Sequence, residues 1–435
     1  MIREKCWRNI SVNLRIDLSY NKIMSGLFFL FIILLPFQDS GLSETPLRMF
    51  GLYLSNLPLM MMIALSVVNF MVMGRIKKEY KKYIGVFIYI FIYSLLVTVF
   101  RSDDISTSIY KIITNSILLI FMIISFYYSR QYFSVIKKYI WLVFLINLLG
   151  CLFCDILSID FGTFIHRSSA EYGRFRGFTS EASWFGYTTV LLGFLAAECS
   201  SVRMLRYGYF ILAIVIAFIG GSKGTIACMP LAVFLYFIFG IKKHIYLKCI
   251  SIPFSLFVIY EVFSIFLLDN FILDLSEATS FSTRISSMIA GLLIFIQYPF
   301  GTGYGSFVPI LKEFFLQGYD LLNQYIPVYI LSYSEIMSTV QDPQAVGLTI
   351  KNNFIQYLTL FGVPFIYVLY YLAKRLILIF SGCNSRYIIP IYFIIISLFS
   401  FAQLYYDTIV AIVALSILAQ KGKNNKTRNN EELNH

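Results

Sequence analysis

Charge is what this sequence has least of. Only 13% of its 435 residues are Asp, Glu, Lys or Arg, against about 25% in an ordinary soluble domain, which excludes a water-facing surface over most of the chain. Histidine is nearly missing too, with 3 residues. His166, His244 and His435 are far apart in sequence, so no metal-ligand cluster is expected. The 7 cysteines form no framework. Cys151 and Cys154 make a C-x-x-C inside an apolar run, with no second Cys or His pair beside it, and read as packing residues. No Asp-x-Asp motif lies on a segment placed in the cytoplasm, which argues against a metal-dependent sugar-nucleotide transferase. Neither cofactor nor metal is expected.

What abounds is apolar. Hydrophobic residues make up 58%, and 43 Phe and 32 Tyr dominate the aromatics; mean hydropathy is +0.75. The net charge of +12 does not point to nucleic acid, because the cations form short clusters between apolar runs and not one stripe. A helix crossing a bilayer needs about 20 mostly apolar residues. Such runs lie near 23–42, 49–73, 83–100, 109–128, 139–158, 184–200, 207–222, 225–241, 249–268, 353–372, 387–403 and 405–420. The last two are parted only by a polar patch, Gln403 to Asp407, and could form one bent hairpin. The expected fold is an all-α integral membrane protein, a single polytopic domain of about twelve transmembrane helices. No internal repeat stands out.

Orientation follows from Lys and Arg, which favour the cytoplasmic side. With the N-terminus inside, only Arg48, Arg101, Lys111, Arg167, Arg174, Arg176, Lys223, Arg284, Lys312 and Lys351 fall outside or within spans. The rest fall inside, including the cluster Arg75, Lys77, Lys78, Lys81 and Lys82. Residues 1–22 and 421–435 are then cytoplasmic tails. The apolar run after the basic start has no small-residue cleavage site, so the start reads as a tail and not a signal peptide. Two outer loops result, 159–183 and the large 269–352. Within the second, Thr283 to Gln297 reads as a helix with one very apolar face, stopping at Pro299 and the glycines of P-F-G-T-G-Y-G-S. That helix is expected to lie in the outer interface. The Tyr-rich remainder (Tyr319, Tyr325, Tyr329, Tyr333) reads as a lid.

Since outer cations are scarce, each needs a reason. Arg174 and Arg176 precede a span in R-F-R-G-F-T-S-E-A-S-W-F-G. They are either interface anchors for lipid headgroups or a fork that clamps a phosphate. Glu181 is a helix-start partner for the dipole or a base for a sugar hydroxyl. Arg284 is a solvated loop charge or a second phosphate contact across a cleft. Lys223, in G-G-S-K-G-T, is a turn cation or a third phosphate contact; its glycine spacing is not that of a nucleotide-binding loop. His166 is a weak candidate base.

Taken together, R-F-R-G-F-T-S-E-A-S-W-F-G at 174–186, S-T-R-I-S-S-M…Y-P-F-G-T-G-Y-G-S-F at 282–307 and K-N-N-F-I-Q-Y-L-T-L-F-G-V-P at 351–364 resemble the O-antigen polymerase and ligase superfamily. G-G-S-K-G-T at 220–225 resembles that family's Ser-Arg-Gly turn, with Lys223 for Arg. The motifs cover roughly 175 to 365; the N-terminal third matches in helix number and topology alone. Two positions depart from the pattern: Ala182 replaces the Pro of Glu-Pro-Ser, and Asn352 and Asn353 stand where the ligase branch has a His. Since Asn takes no proton, the resemblance favours the polymerase (Wzy-type) branch.

The resemblance implies a metal-independent transferase on the periplasmic face of the bacterial inner membrane. It would join undecaprenyl-pyrophosphate-linked oligosaccharide units, with a chain-length regulator as a possible protein partner. Arg176 and Arg284 would clamp the pyrophosphates, Glu181 would act on the acceptor hydroxyl, and Arg174, Lys223, Asn352, Asn353 and Tyr304 would bind substrate. An O-antigen ligase, a lipid-linked oligosaccharide flippase and a polytopic transporter are the alternatives. A flippase would place charges inside the bundle and needs no large outer loop. A transporter would break helices around ionisable residues at mid-membrane.

Overall fold

The computed structural model describes residues 20–44, 50, 52–73, 78–101, 105–159, 174–179, 181–240, 253, 257, 260–261, 279–325, 333–341, 348–350, 352–380, 383, 385–401 and 402–432. Among them the chain is helical, with one isolated bridge, Gln38 to Tyr53, and no named strand. The helices run α1 (Tyr20–Ile33), α2 (Asn56–Met73), α3 (Lys78–Arg101), α4 (Ile105–Gln131) and α5 (Phe133–Gly150). Next come α6 (Ala182–Cys199), α7 (Arg203–Ile219) and α8 (Lys223–Leu235). The later helices are α9 (Thr279–Gln297), α10 (Gly303–Asn323), α11 (Tyr333–Gln341), α12 (Asn353–Phe361), α13 (Val363–Phe380), α14 (Ser385–Ser400) and α15 (Tyr406–Glu432). Three helices among the described residues are long and apolar enough to cross a membrane: Ser108–Gln131, Phe133–Ile156 and Val363–Phe380. The run 249–268 apart from residues 253, 257, 260 and 261, the outer positions 160–173 with His166 and Arg167, and 269–278 lie outside the described residues.

Two apolar cores organise these helices. The larger joins α1, α2, α4, α5, α6, α7, α8, α14 and α15, and includes Phe28, Phe144, Tyr187 and Phe393. At its centre runs α6, buried without a break from Trp184 to Ala197. A helix apolar on every side has to be enclosed. Gly193 lets α7 come close: a Cβ there would lie 2.3 Å from the Ala213 Cβ. Thr188 and Thr189 in this helix find partners from other elements, Thr188 donating to Asp407 (2.8 Å) and Thr189 accepting from Asn147 (2.7 Å). The smaller core joins α9, α10, α11 and α12 with Ile112 of α4, while Ile90 and Phe91 of α3 pack against it.

Two expectations need correcting, and one helix runs further than its apolar run. The segment after P-F-G-T-G-Y-G-S is not a bare Tyr-rich lid: it holds α10, whose Phe307, Ile310, Leu311, Phe314 and Phe315 are buried. The spacing of three and four residues makes one helical face. The run 353–372 is not one helix. It breaks at Gly362, where φ is +61° and a Cβ would stand 2.1 Å from the Pro299 oxygen. The break is shared with the turn after α9: the Val363 amide donates to Pro299 O (2.8 Å) and the Thr302 amide to Thr359 O (3.0 Å). And the last apolar run continues as helix through the tail, to Glu432.

Candidate functional site

The turns that the sequence assigns to the outer side come together at one end of the larger core. Asp155 lies in a π-helical turn, Cys151–Ile156, that extends α5. Its Oδ2 accepts the amides of Arg176 (2.9 Å) and Gly177 (2.7 Å). Two adjacent N–H groups aimed at one anion form a nest, and the positive φ of Gly177 (+55°) belongs to that turn. Phe178 then stacks on Phe37 at 4.6 Å and accepts the Gln38 amide at 2.9 Å. On the other side the Phe175 amide donates to Gly220 O (3.2 Å), tying the arginine stretch to the G-G-S-K-G-T turn. Gly186 makes that approach possible, since a Cβ there would fall 2.2 Å from the Ser222 Cβ.

These ties bring together the segments that carry Arg174, Arg176, Glu181 and Lys223. Arg176 is buried at 7% exposure, Arg174 is exposed, and Glu181 and Lys223 are half-buried. Glu181 caps α6 in extended conformation; its carboxylate accepts the Ser183 hydroxyl at 3.2 Å. Ala182, in place of Pro, is the first helical residue and is buried.

A segment that sequence reading passed over is the hub of this end. Residues 401–405 link α14 to α15, and with Phe399 in the last turn of α14 they are touched from four directions. Phe401 lies against Gly224, beside Lys223. Phe399 accepts the Asn352 side-chain amide through its carbonyl and stacks on Phe354 at 3.6 Å. Tyr405 lies 4.7 Å from Trp184 and 4.9 Å from Tyr53. The available signal was the polar patch Gln403 to Asp407, polar residues interrupting an apolar run. Asp407 is buried and fully engaged, accepting from Thr188 and from the Thr408 amide (2.7 Å).

Asn352 and Asn353 open α12 and Arg284 lies on α9, two helices of the smaller core. Asn352 caps α12, its Oδ1 accepting the Ile355 amide at 3.0 Å, so both ends of its amide hold structure. Asn353 is buried at the first helical position. α9 and α12 run side by side in the same direction, Gly291 lying against Ile355 and Thr359, and Gly301 against Leu360. Arg284, two turns before Gly291, is therefore at the end where α12 begins. Its Nε is buried and has no hydrogen-bond partner among the described residues. Tyr304 is placed differently: it starts α10, is buried, and sets its ring edge-on to Phe361 at 5.5 Å.

Charges of both signs meet at this end, where Asp155, Glu181 and Asp407 stand among Arg174, Arg176 and Lys223. The N-termini of α6, α8, α12 and α15 are all here, each contributing roughly half a positive charge at a helix start. Arg174, Arg176 and Lys223 add full charges. Among the described residues no group of three His, Cys, Asp or Glu could hold a metal ion.

Comparison with known proteins adds one relative. The chain is 26% identical over 322 residues, 71% of its own length and 72% of the relative's, to an uncharacterized 49.5 kDa protein in the cps region of Klebsiella pneumoniae. No family model matches the chain. No solved structure matches it.

Proposed function

We propose that the chain is a multi-pass membrane transferase that polymerises lipid-pyrophosphate-linked oligosaccharide units into a surface polysaccharide, the chemistry of a Wzy-type polymerase. The observation that carries this reading is the meeting of four helix N-termini with Arg174, Arg176 and Lys223 at one end of the bundle. The cps-region relative supports a polysaccharide role and favours a capsule-type product.

In the proposed reaction the bond between the anomeric carbon of the growing chain and the lipid pyrophosphate breaks. A new bond forms from that carbon to a hydroxyl oxygen of the next lipid-linked unit. The hydroxyl proton passes to the Glu181 carboxylate, and the lipid pyrophosphate leaves with the bonding electrons. Preorganised cations stabilise that leaving charge without reorganising; Arg176 and Lys223 supply them on one side and Arg284 on the other. The Nε of Arg284, without a hydrogen-bond partner among the described residues, supports such a role, since a buried donor left without an acceptor costs about 1–3 kcal/mol that a bound phosphate would recover.

The chain would span the inner membrane about twelve times with its hub end in the periplasm, the exposed apolar face of α13 (Tyr367, Tyr370, Ile377) against lipid. Deletion of the gene in its host tests the reading, with lipid-linked intermediates and surface polymer analysed together. The expected result is accumulation of single lipid-linked repeat units on the periplasmic face and loss of long polymer. A flippase deletion would instead hold the units in the cytoplasmic leaflet, and a ligase deletion would leave long lipid-linked chains. Unchanged polymer in the deletion strain would refute the proposal.

A further inference from the structure

The hub carries a second feature that a phosphate clamp does not use. Tyr405 is flanked by two other rings, Trp184 tilted at 44° and Tyr53 tilted at 50°. Tyr53 also meets Tyr406 edge-on at 5.7 Å. Trp184 and Tyr406 are buried behind this group, at 8% and 3% exposure. Tyr53, Tyr405, Gln403 and Glu181 are half-buried and form its front. The cluster therefore has a buried side and a half-buried rim.

The rim is polar in a particular way. The Tyr405 phenol donates to Gln403 Oε1. Glu181 stands at the start of α6, three residues before Trp184, and its carboxylate accepts the Ser183 hydroxyl at 3.2 Å. Rings alternating with an amide, a phenol and a carboxylate suit one class of ligand well. A pyranose has an apolar C–H face, which lies on an aromatic ring, and a belt of hydroxyls, which need donors and acceptors at the ring's edge. A lipid tail would leave those polar groups unmatched.

We propose that Tyr405, Trp184 and Tyr53, with Gln403 and Glu181 at the rim, form a subsite for one pyranose of the acceptor repeat unit. Its identification with the acceptor rests on the polymerase reading; the sugar class follows from the rings and the rim. Tyr405 lies four residues after Phe401, the ring packed beside Lys223, so a sugar here would adjoin the cationic surface. A hydroxyl of that sugar would be presented to Glu181.

The chain contains 3 Trp, namely Trp7, Trp141 and Trp184. Replacing Trp7 and Trp141 by Phe leaves Trp184 as the sole indole in the full-length protein, purified into lipid nanodiscs. The probe is the host's own repeat-unit oligosaccharide, released from polymer and free of lipid and phosphate, with a dextran oligosaccharide of equal length as control. The expected result is a saturable change in Trp184 emission with the repeat unit and none with dextran. Tyr405→Ala should weaken the binding by about two- to tenfold, the size of a lost aromatic contact. Gln403→Ala, which removes the acceptor of the Tyr405 phenol at the rim and no ring, should weaken it too. No emission change, an equal response to dextran, or unaltered affinity in both variants overturns the subsite. Failure of the polymerase reading shows elsewhere, as normal polymer in the deletion strain.

Discussion

Asp155 offers the sharpest test of how the arginine stretch is held. Its Oδ2 takes two amide protons, from Arg176 at 2.9 Å and Gly177 at 2.7 Å. Hydrogen bonds to a charged group contribute about 1.5–3 kcal/mol each, and a buried donor left without its acceptor costs about 1–3 kcal/mol. Asp155→Ala strands both amides, in residues that are themselves buried. Even the lower bound, about 2 kcal/mol for the pair, raises the population of opened loop on the order of 25-fold. Asp155→Asn should do less, because one amide oxygen can sit where Oδ2 sits and accept both protons, at about half the strength of a charged acceptor. Hydrogen–deuterium exchange of the peptide spanning 174–181, in the purified membrane protein, reads the opening directly. The expected order of exchange is wild type slowest, Asn intermediate, Ala fastest, and polymer length in cells should fall in that order. If Asp155→Ala is expressed normally and exchanges at the wild-type rate, the nest is not what holds Arg176.

Other expectations follow from neighbouring contacts. Gly362→Ala places a Cβ 2.1 Å from the Pro299 oxygen at φ +61°, and should abolish folded protein in a detergent thermal-melt assay, whereas Gly208→Ala, where nothing lies within 4 Å, should melt normally. Asn352→Ala removes a cap worth about 1 kcal/mol and the tie to Phe399; Asn352→Asp keeps the cap and loses the tie, so its melting temperature should fall between wild type and Ala. Thr188→Val leaves Asp407 short of a hydrogen bond of 2.8 Å and should destabilise by about 1.5–3 kcal/mol, readable in chemical denaturation. Arg284→Gln and Arg176→Gln should each shorten polymer to single units at normal expression; long polymer in both would remove the phosphate clamp.

Much of the helical layout was legible because long apolar runs write their own boundaries. The start of α6 is visible in E-A-S-W, and that of α8 in G-G-S-K, where glycines end one run and a cation opens the next. Helix α10 was not, because Gly303, Gly305, Pro309, Lys312 and Glu313 look like loop. Its signal was the period of its buried Phe and Ile positions. The break at Gly362 carried a local cue, Gly followed by Val-Pro, which the apolar length of 353–372 masked. Within the site, Arg174, Arg176, Lys223 and Glu181 stood out because cations and carboxylates are rare on those segments. The hub did not, since Phe399, Phe401 and Tyr405 are ordinary in a chain with 43 Phe and 32 Tyr. What distinguishes them is which remote segments they touch, and no local pattern encodes that.

The interruption at Gly362 has a wider consequence. At 1.5 Å per residue the nine residues of α12 rise only about 14 Å, less than half of a hydrocarbon core about 30 Å thick. A helix ending at that depth would expose bare carbonyls and amides to lipid, which is prohibitive unless protein answers them. Here the answer comes from another broken segment: the turn between α9 and α10 lends an oxygen to Val363 and an amide to Thr359. Each gap is closed by the other's loose ends. Lengthening or shortening either turn by one residue would unseat both, so the two stretches are tied to change together although some sixty positions separate them in the chain.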